Sequence, residues 1–343
     1  MRLAKQQHSW LGSLFNRNPD VVVVDDPRNA ILNRKLWILL LLAVLAIGFY
    51  LSIGVTDWGF ALPRRGRKVL AMVLVGFSVS YSTVIFQTIT NNRILTPAII
   101  GFNSMYVLIQ TALTFFLGSL AIATFDPNLM FAINVGCMII FAGALYRWLF
   151  EREGTNLYFL VLVGVVFGTL FGNLSSFMQN MLDPNEFQVL QDRLFASIQN
   201  VDEDLLLISC IGIFWATAYS FRFAPYLDVI SLGRDVAINL GIDHTVVVNR
   251  LMIVIAVLVS VSTALVGPIL FFGLLAANVT YQFMGTYRHG YLIPAAMLMS
   301  VIALVGGQLL LERVFEFNTT IGVIINFVGG VYFLYLLLKE ARG

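Results

Sequence analysis

The feature that most constrains this chain is a series of apolar runs, each about as long as a membrane-spanning helix. An α-helix needs about 20 apolar residues to cross the hydrocarbon core of a bilayer. The runs are separated by short polar breaks and cover about 36–56, 69–90, 97–119, 129–149, 156–181, 205–223, 246–266, 268–287, 291–311 and 320–338. Apolar side chains make up 59% of the 343 residues and charged side chains only 12%. This composition excludes a water-soluble enzyme, a nucleic-acid-binding domain and a disordered chain. It predicts an all-α polytopic membrane protein with about ten transmembrane helices.

The basic residues predict which side of the membrane each loop occupies, because cytosolic loops carry an excess of Lys and Arg. An even number of spans places both termini on one side. Putting them in the cytosol leaves fifteen basic residues on that side and six on the other, so we expect both termini in the cytosol. Residues 1–35 then form a cytosolic N-terminal extension and residues 36–343 the transmembrane domain. Four of the six basic residues on the opposite side lie in one run, namely Arg64, Arg65, Arg67 and Lys68.

The central parts of the apolar runs contain no Asp, Glu, Lys, Arg or His. Ion-coupled carriers, proton relays and voltage sensors use such residues within the membrane, so this absence argues against an ion-driven carrier. The chain also has no glycine-rich loop ending in Gly-Lys-Ser/Thr, the motif that binds nucleotide phosphates. We therefore predict no catalytic residue, no metal site and no cofactor bound by this chain. Energy for transport would come from another subunit. An ion-coupled secondary carrier and a membrane scaffold without transport are the alternatives.

Small residues are dense in several runs. Gly164, Gly168 and Gly172 recur at every fourth residue, a spacing that lets helix backbones approach closely within a membrane. The pattern predicts a tightly packed bundle.

A polar break near residue 230 contains a short amphipathic pattern. Its apolar residues recur at steps of three and four, which is the helical period: Val229, Leu232, Val236 and Leu240. Asp228 suits the start of a helix and Gly241 its end. The pattern predicts one helix over 228–241 that either rests on lipid headgroups or docks a cytosolic partner.

Three stretches resemble the permeases of bacterial ABC importers for ferric siderophores and vitamin B12. Residues 231–241, Ser-Leu-Gly-Arg-Asp-Val-Ala-Ile-Asn-Leu-Gly, are similar to the L-G-x-x-x-A-x-x-L-G segment of that family. Residues 267–275 are similar to its G-x-I-x-F-x-G-L stretch, and residues 74–101 to its second span and the turn that follows. The resemblance runs from about residue 36 to the C-terminus.

The resemblance implies a type II ABC importer permease fold and a set of partners. These are a second permease subunit around a central pathway, two cytosolic ATPases that use ATP and Mg²⁺, and a periplasmic or lipid-anchored binding protein; nucleic acid is not among them. The residues that it implies for contact with the ATPases are Leu232, Gly233, Arg234, Asp235, Ala237, Leu240 and Gly241.

The resemblance also implies residues for docking and for the pathway. The family's R-x-x-R docking pair falls on Arg65 and Lys68. The whole set implied to dock acidic side chains of the binding protein is Arg64, Arg65, Arg67, Lys68 and Arg313. The fifth and tenth spans line the pathway in this family, which implies Asn173, Ser176, Gln179 and Asn326 as lining residues.

Departures from the family pattern indicate a subgroup. Ala277-Asn278 stands where the family has Pro-His, and the turn at residues 91–97 has a distinct form, Asn-Asn-Arg-Ile-Leu-Thr-Pro. These features resemble permeases for catecholate siderophores such as vibriobactin or petrobactin, which typically pair with a different, related permease chain. We therefore expect a subunit of a heterodimeric ferric-siderophore permease in the bacterial cytoplasmic membrane. Vitamin B12 and haem are the alternative cargoes.

Overall fold

The structure, a computed structural model, describes residues 27–54, 57–150, 157–198, 201–314 and 320–340. Residues 1–26 of the predicted N-terminal extension lie outside the described residues. Within the described ranges the chain forms a succession of α-helices. They are α1 (Pro27–Ser52), α2 (Trp58–Thr90), α3 (Phe102–Leu117), α4 (Ser119–Ala123), α5 (Pro127–Phe150), α6 (Leu157–Gln179), α7 (Pro184–Leu194), α8 (Glu203–Ser220), α9 (Ala224–Ile230), α10 (Arg234–Asn239), α11 (His244–Val266), α12 (Phe272–Met284), α13 (His289–Arg313) and α14 (Ile321–Glu340).

The long helices confirm the predicted all-α polytopic architecture. Eight segments of the described chain are long and apolar enough to cross a membrane: α1, α2, α5, α6, the segment from α8 to α9, α11, α13 and α14. They coincide with eight of the ten predicted runs. The other two runs, about 97–119 and 268–287, form the shorter helices α3 and α12, of 16 and 13 residues. Ten apolar helical segments are therefore present, and two of them are shorter than predicted.

Glycine and proline explain the late starts of α3 and α12. Gly101 has φ +98° and Gly267 has φ +93°, a region of backbone space that other residues rarely adopt. Pro268 follows Gly267 and has no N–H to continue a helical ladder. Neither helix therefore begins until after its glycine.

The interruption at Gly267 is compensated by hydrogen bonds from distant elements. Ser197 donates its backbone N–H to the carbonyl of Val266 at 2.8 Å, and Leu270 donates its N–H to Oδ1 of Asn326 on α14 at 3.1 Å. Irregular backbone at membrane depth requires such partners, because lipid offers none.

Three helices form the centre of the bundle. α13 packs against α1, α2 and α12, while α11 packs against α2, α5 and α8. α2 and α11 are the most buried of the long helices, whereas α1, α6 and α14 keep most of their surface exposed. The peripheral helices therefore present their apolar surface to lipid or to another subunit.

The seam between α2 and α13 is built from small residues. A Cβ placed on Gly76 of α2 would lie 3.0 Å from Oγ of Ser300 on α13. Ser300 Oγ also lies 3.3 Å from Oγ of Ser80. Small side chains let the two backbones approach, and the hydroxyls bond across the seam without a buried charge.

The start of α2 extends further than the apolar pattern predicts. The helix begins at Trp58 rather than near residue 69, because Oδ1 of Asp57 accepts the N–H of Gly59 at 2.9 Å and caps the helix. The basic run of residues 64–68 is therefore helical, with Pro63 in the helix just before it.

The three regularly spaced glycines of α6 have different environments. Cβ atoms on Gly164 and Gly168 would lie 2.7 Å and 3.3 Å from the Cα atoms of Ile100 and Gly101, respectively. A Cβ on Gly172 would meet nothing within 4 Å. Only the first two glycines are therefore needed for contact with the turn that precedes α3.

We predict that Gly164→Ala destabilises the protein, because its Cβ meets backbone that cannot move aside as a flexible side chain can. Overpacking of this kind costs about 1–3 kcal/mol. The measurement is the thermal unfolding midpoint in detergent, which should fall. Gly172→Ala is the matched control and should leave the midpoint unchanged or raise it. Equal midpoints for the two variants would contradict the close approach of α6 to residues 100–101.

Candidate functional site

The stretch predicted as one helix over 228–241 forms two helices, so that part of the prediction is wrong. α9 ends at Ile230, and α10 runs from Arg234 to Asn239. The break falls at Gly233, which has φ +101°, and Gly241 has φ +85° after the second helix. Both angles suit glycine, so the two glycines of the segment divide it rather than merely ending it.

The two short helices have different surroundings. On α9, Leu227 and Ile230 are buried against the bundle. On and beside α10, only Ala237 is fully buried, whereas Leu232 and Leu240 are 60% and 62% exposed. The apolar face continues through two further exposed residues, Val236 and Ile238. Arg234, Asp235 and Gly241 are exposed beside it. α9 is thus an anchor, and the surface around α10 is apolar and uncovered.

A buried histidine connects α9 to two long helices. Oδ1 of Asp228 accepts the backbone N–H of His289 at 2.8 Å and its Nδ1–H at 2.6 Å. His289 Nε2 lies 2.6 Å from Oγ1 of Thr88 in the last turn of α2. We call these three residues the His289 link. It joins α9, the start of α13 and the end of α2.

The opposite ends of α2 and α13 carry the predicted docking residues, a region that we call the arginine end (Arg64, Arg65, Arg67, Lys68 and Arg313). Arg65 donates from Nη1 to the carbonyls of Tyr50 at 2.9 Å and Ile53 at 2.8 Å. Arg313 donates from Nη2 to the same Ile53 carbonyl at 2.7 Å. Arg65 therefore binds one of the last carbonyls of α1, which have no partner within their own helix, and both guanidinium groups bind the carbonyl of Ile53 just after it.

A largely buried carboxylate holds another member of the arginine end. Lys68 Nζ lies 3.6 Å from Oε1 of Glu312, and both side chains are only 12% exposed. The same oxygen accepts from the hydroxyl of Tyr50 at 2.9 Å and from Nε2 of Gln308 at 3.0 Å. Glu312 thus draws together the ends of α1, α2 and α13.

Three members of the arginine end are exposed, namely Arg64, Arg67 and Arg313. Of these, Arg313 bonds to the carbonyl of Ile53. Arg67 Nη1 lies 2.6 Å from Oε1 of Glu203, and both side chains are largely exposed. An exposed ion pair contributes little to stability, so this contact does not commit Arg67 to a structural role.

The predicted pathway residues occupy different environments. Asn173 and Ser176 are exposed on α6, and Gln179 donates from Nε2 to Oγ1 of Thr111 at 3.0 Å. Asn326 accepts from the backbone N–H of Leu270 and so supports the break ahead of α12. The structure does not bring Asn326 and the α6 residues into one cluster, since α6 and α14 have no substantial contact within the described chain.

Sequence reasoning did not single out His289, Thr88 or Glu312. His289 and Asp228 lie 61 positions apart, so no local spacing reveals their contact. The available signal for Glu312 was weak, namely an acidic residue directly after the ninth apolar run. Within the described ranges there is no group of three or more His, Cys, Asp or Glu side chains placed to hold a metal ion.

Comparison with known proteins places this arrangement among transport proteins. Residues 36–339 match the FecCD transport family. The petrobactin import system permease protein YclO of Bacillus subtilis (strain 168) is 53% identical over 308 residues, covering 90% of this chain and 98% of that protein. The petrobactin import system permease protein FatC of Bacillus anthracis is 35% identical over 318 residues and 90% of each chain.

One solved structure has the same fold. It is described as an inward-facing conformation of a metal-chelate type ABC transporter and superposes with a TM-score of 0.77 at 22% identity. The match covers 90% of this chain and 99% of that one. At this identity the match establishes the architecture alone.

Proposed function

The chain belongs to the FecCD transport family and is a permease subunit of a siderophore ABC importer, and we propose that its cargo is a catecholate siderophore of the petrobactin type in its ferric form. The observation that supports this choice of cargo is the 53% identity to a petrobactin import permease along 90% of the chain. A second petrobactin import permease, at 35% identity, supports the same assignment.

As an importer permease, the chain works in a membrane with a partner permease, an ATPase and a substrate-binding protein. We propose that the partner permease is a different, related chain, and that two copies of a separate ATPase subunit bind and hydrolyse ATP with Mg²⁺. Both termini then lie in the cytosol, which the excess of basic residues on that side supports. The binding protein is periplasmic or lipid-anchored on the opposite side.

The surface around α10 is the proposed contact for the ATPase. Leu232 and Leu240 expose most of their surface beside Val236, and exposed apolar patches of this kind mark protein interaction sites. Buried residues anchor both short helices, Leu227 and Ile230 on α9 and Ala237 on α10. Motion of an attached subunit would therefore reach the bundle through α9 and through the contact of α10 with α11.

The arginine end is the proposed contact for the binding protein, and we assign docking to Arg64 and Arg67, the exposed members within the basic run of α2. Arg64 and Arg67 face outward, where they can pair with acidic side chains of a partner. Arg65, Lys68 and Arg313 hold α1, α2 and α13 together and so shape the surface that carries Arg64 and Arg67.

The exposed polar residues of α6 are the proposed pathway contacts. Asn173 and Ser176 lie on an otherwise apolar span and are exposed, where contact with lipid would be unfavourable because lipid offers no hydrogen-bond partners. A water-filled path shared with the second permease would satisfy both side chains. Asn326 and Gln179 contribute by holding neighbouring backbone and helices in place.

We predict that cells lacking this chain lose uptake of radiolabelled ferric petrobactin and regain it when the chain is supplied. Uptake should stop when arsenate depletes ATP and should continue when a protonophore removes the proton potential while ATP is retained. Uptake that follows the proton potential in ATP-depleted cells would instead establish an ion-coupled carrier. Restored uptake of vitamin B12 or haem, but not of petrobactin, would overturn the cargo assignment.

We predict that Leu240→Glu lowers the affinity of the permease for its ATPase by about tenfold, as expected for an apolar anchor at the centre of an interface. The measurement is co-purification of the ATPase together with uptake by the reconstituted complex. Asn239→Glu introduces the same charge at the neighbouring exposed position and serves as the matched control. If both variants bind the ATPase as the parent does, the surface around α10 is not the contact.

We predict that Arg64→Glu weakens docking of the binding protein by about tenfold at low salt, because reversing a charge at an interface replaces attraction by repulsion. The loss should shrink as ionic strength rises, since salt screens exposed charges. Arg222→Glu makes the same change in net charge on the proposed cytosolic side and should leave docking unaffected. An affinity that does not respond to Arg64→Glu would remove the arginine end from the docking surface.

A further inference from the structure

The His289 link connects three separate elements through one side chain. His289 is only 4% exposed and is the first residue of α13. Asp228, on the short helix α9, is half-exposed and reaches this position from outside the bundle. His289 therefore connects the surface helix α9 to the buried part of the bundle.

Asp228 acts as a helix cap supplied by another element. The first N–H groups of an α-helix have no partner within that helix, and its N-terminus carries partial positive charge. The carboxylate of Asp228 accepts the first such N–H of α13, at 2.8 Å, while also accepting the ring Nδ1–H of the same residue at 2.6 Å. The start of α13 is thereby held to α9 by two bonds to one oxygen.

The other ring nitrogen of His289, Nε2, reaches α2. Because ionised Asp228 can only accept, the proton of a neutral His289 ring lies on Nδ1, and Nε2 is then the acceptor for the Thr88 hydroxyl at 2.6 Å. The same hydroxyl lies 2.8 Å from the carbonyl of Val84, so Nε2 and this carbonyl share its single proton. The Asp228 carboxylate thus orders a chain of contacts that ends on α2.

The contacts of the two short helices show why this link matters. α10 carries the exposed apolar surface and contacts α9 and α11, whereas α9 contacts both α2 and α13. α2 and α13 run antiparallel and pack closely along their seam. A displacement received at α10 therefore reaches α11 directly and reaches α2 and α13 through α9, where Asp228 bonds to His289.

We propose that the His289 link transmits motion of the coupling segment to α2 and α13, with Asp228, His289 and Thr88 acting as positioning residues for transport. The inference rests on the proposed contact between α10 and the ATPase. The link makes the start of α13 and the end of α2 follow α9 as one unit. Without it, α9 can shift while the central helices stay in place.

The first experiment measures siderophore molecules imported for each ATP hydrolysed, in proteoliposomes that contain the complete importer and use ferric petrobactin as the probe. Asp228→Ala and His289→Ala should each lower this ratio by about tenfold, within the range of typical coupling between sites. Asp228→Asn retains an amide oxygen that can accept both N–H groups, and it should restore at least half of the ratio.

Asp243→Ala is the matched control. Oδ1 of Asp243 caps α11 by accepting the N–H of Val246 at 3.1 Å, so this variant also removes a capping carboxylate at the same end of the bundle, but one that joins no second element. Its ratio should stay within about twofold of the parent, as for an ordinary surface substitution. A ratio for Asp228→Ala no lower than that of Asp243→Ala would overturn the proposal.

The second experiment requires no cargo and so separates this inference from the proposed function. Spin labels at Leu310→Cys on α13 and Leu129→Cys on α5 report movement at the far end of the bundle, in a background where Cys137 and Cys210 are replaced by Ser. Both labelled positions are exposed. The distance between the labels should change on addition of ATP and vanadate to the parent complex, and this change should be absent in His289→Ala and restored in Asp228→Asn.

The outcomes of the second experiment are distinct. A change that persists in both Asp228→Ala and His289→Ala overturns the link. A change that is lost in these variants, in a complex that does not import ferric petrobactin, supports the link and overturns the cargo assignment. If Asp228→Ala does not assemble with the ATPase, Thr88→Val carries the test. It keeps the side-chain shape, removes the hydroxyl that bonds the ring and lies near the carbonyl of Val84, and should lower the change by about threefold.

Discussion

The antiparallel packing of α2 against α13 is the interaction on which the other arrangements depend. The arginine end, where Lys68 lies beside Glu312, is at one end of this pair. The other end carries the His289 link, where Thr88 lies beside His289. Between them, Gly76 and the paired serines hold the two backbones close. The two surfaces that we propose for separate partners are therefore at opposite ends of one packed unit.

The chemistry of this pair suits a membrane. Its interior contacts use glycine and hydroxyl groups, so no charge is buried. Hydrogen bonds between helices contribute about 0.6–2 kcal/mol each within a membrane. Among the described residues of this pair and its contacts, charged groups such as Glu312 and Asp228 lie at the two ends. A seam of this kind can shift slightly without exposing an unpaired charge to lipid, whereas its ends remain attached to the neighbouring helices.

The arginine end illustrates how one motif can serve two purposes. The family pattern assigns docking to Arg65 and Lys68, yet in this fold Arg65 binds one of the last carbonyls of α1 and Lys68 lies with Glu312. The neighbours Arg64 and Arg67 fall on the exposed face of the same helix, because adjacent residues of a helix point in different directions. The basic run therefore supplies both the support and the exposed charge.

The sequence by itself determined the all-α membrane architecture, the positions of the apolar segments and the family, because apolar length and local motifs are properties of contiguous residues. It did not reveal that the segment at residues 228–241 breaks at Gly233, since a glycine can end a helix or sit within one. Only the tertiary structure decided which charged residues are tied to internal partners. Arg313 meets Ile53 across 260 positions, and His289 meets Asp228 across 61. Such contacts depend on which helices pack together, and no local spacing in the chain encodes that choice.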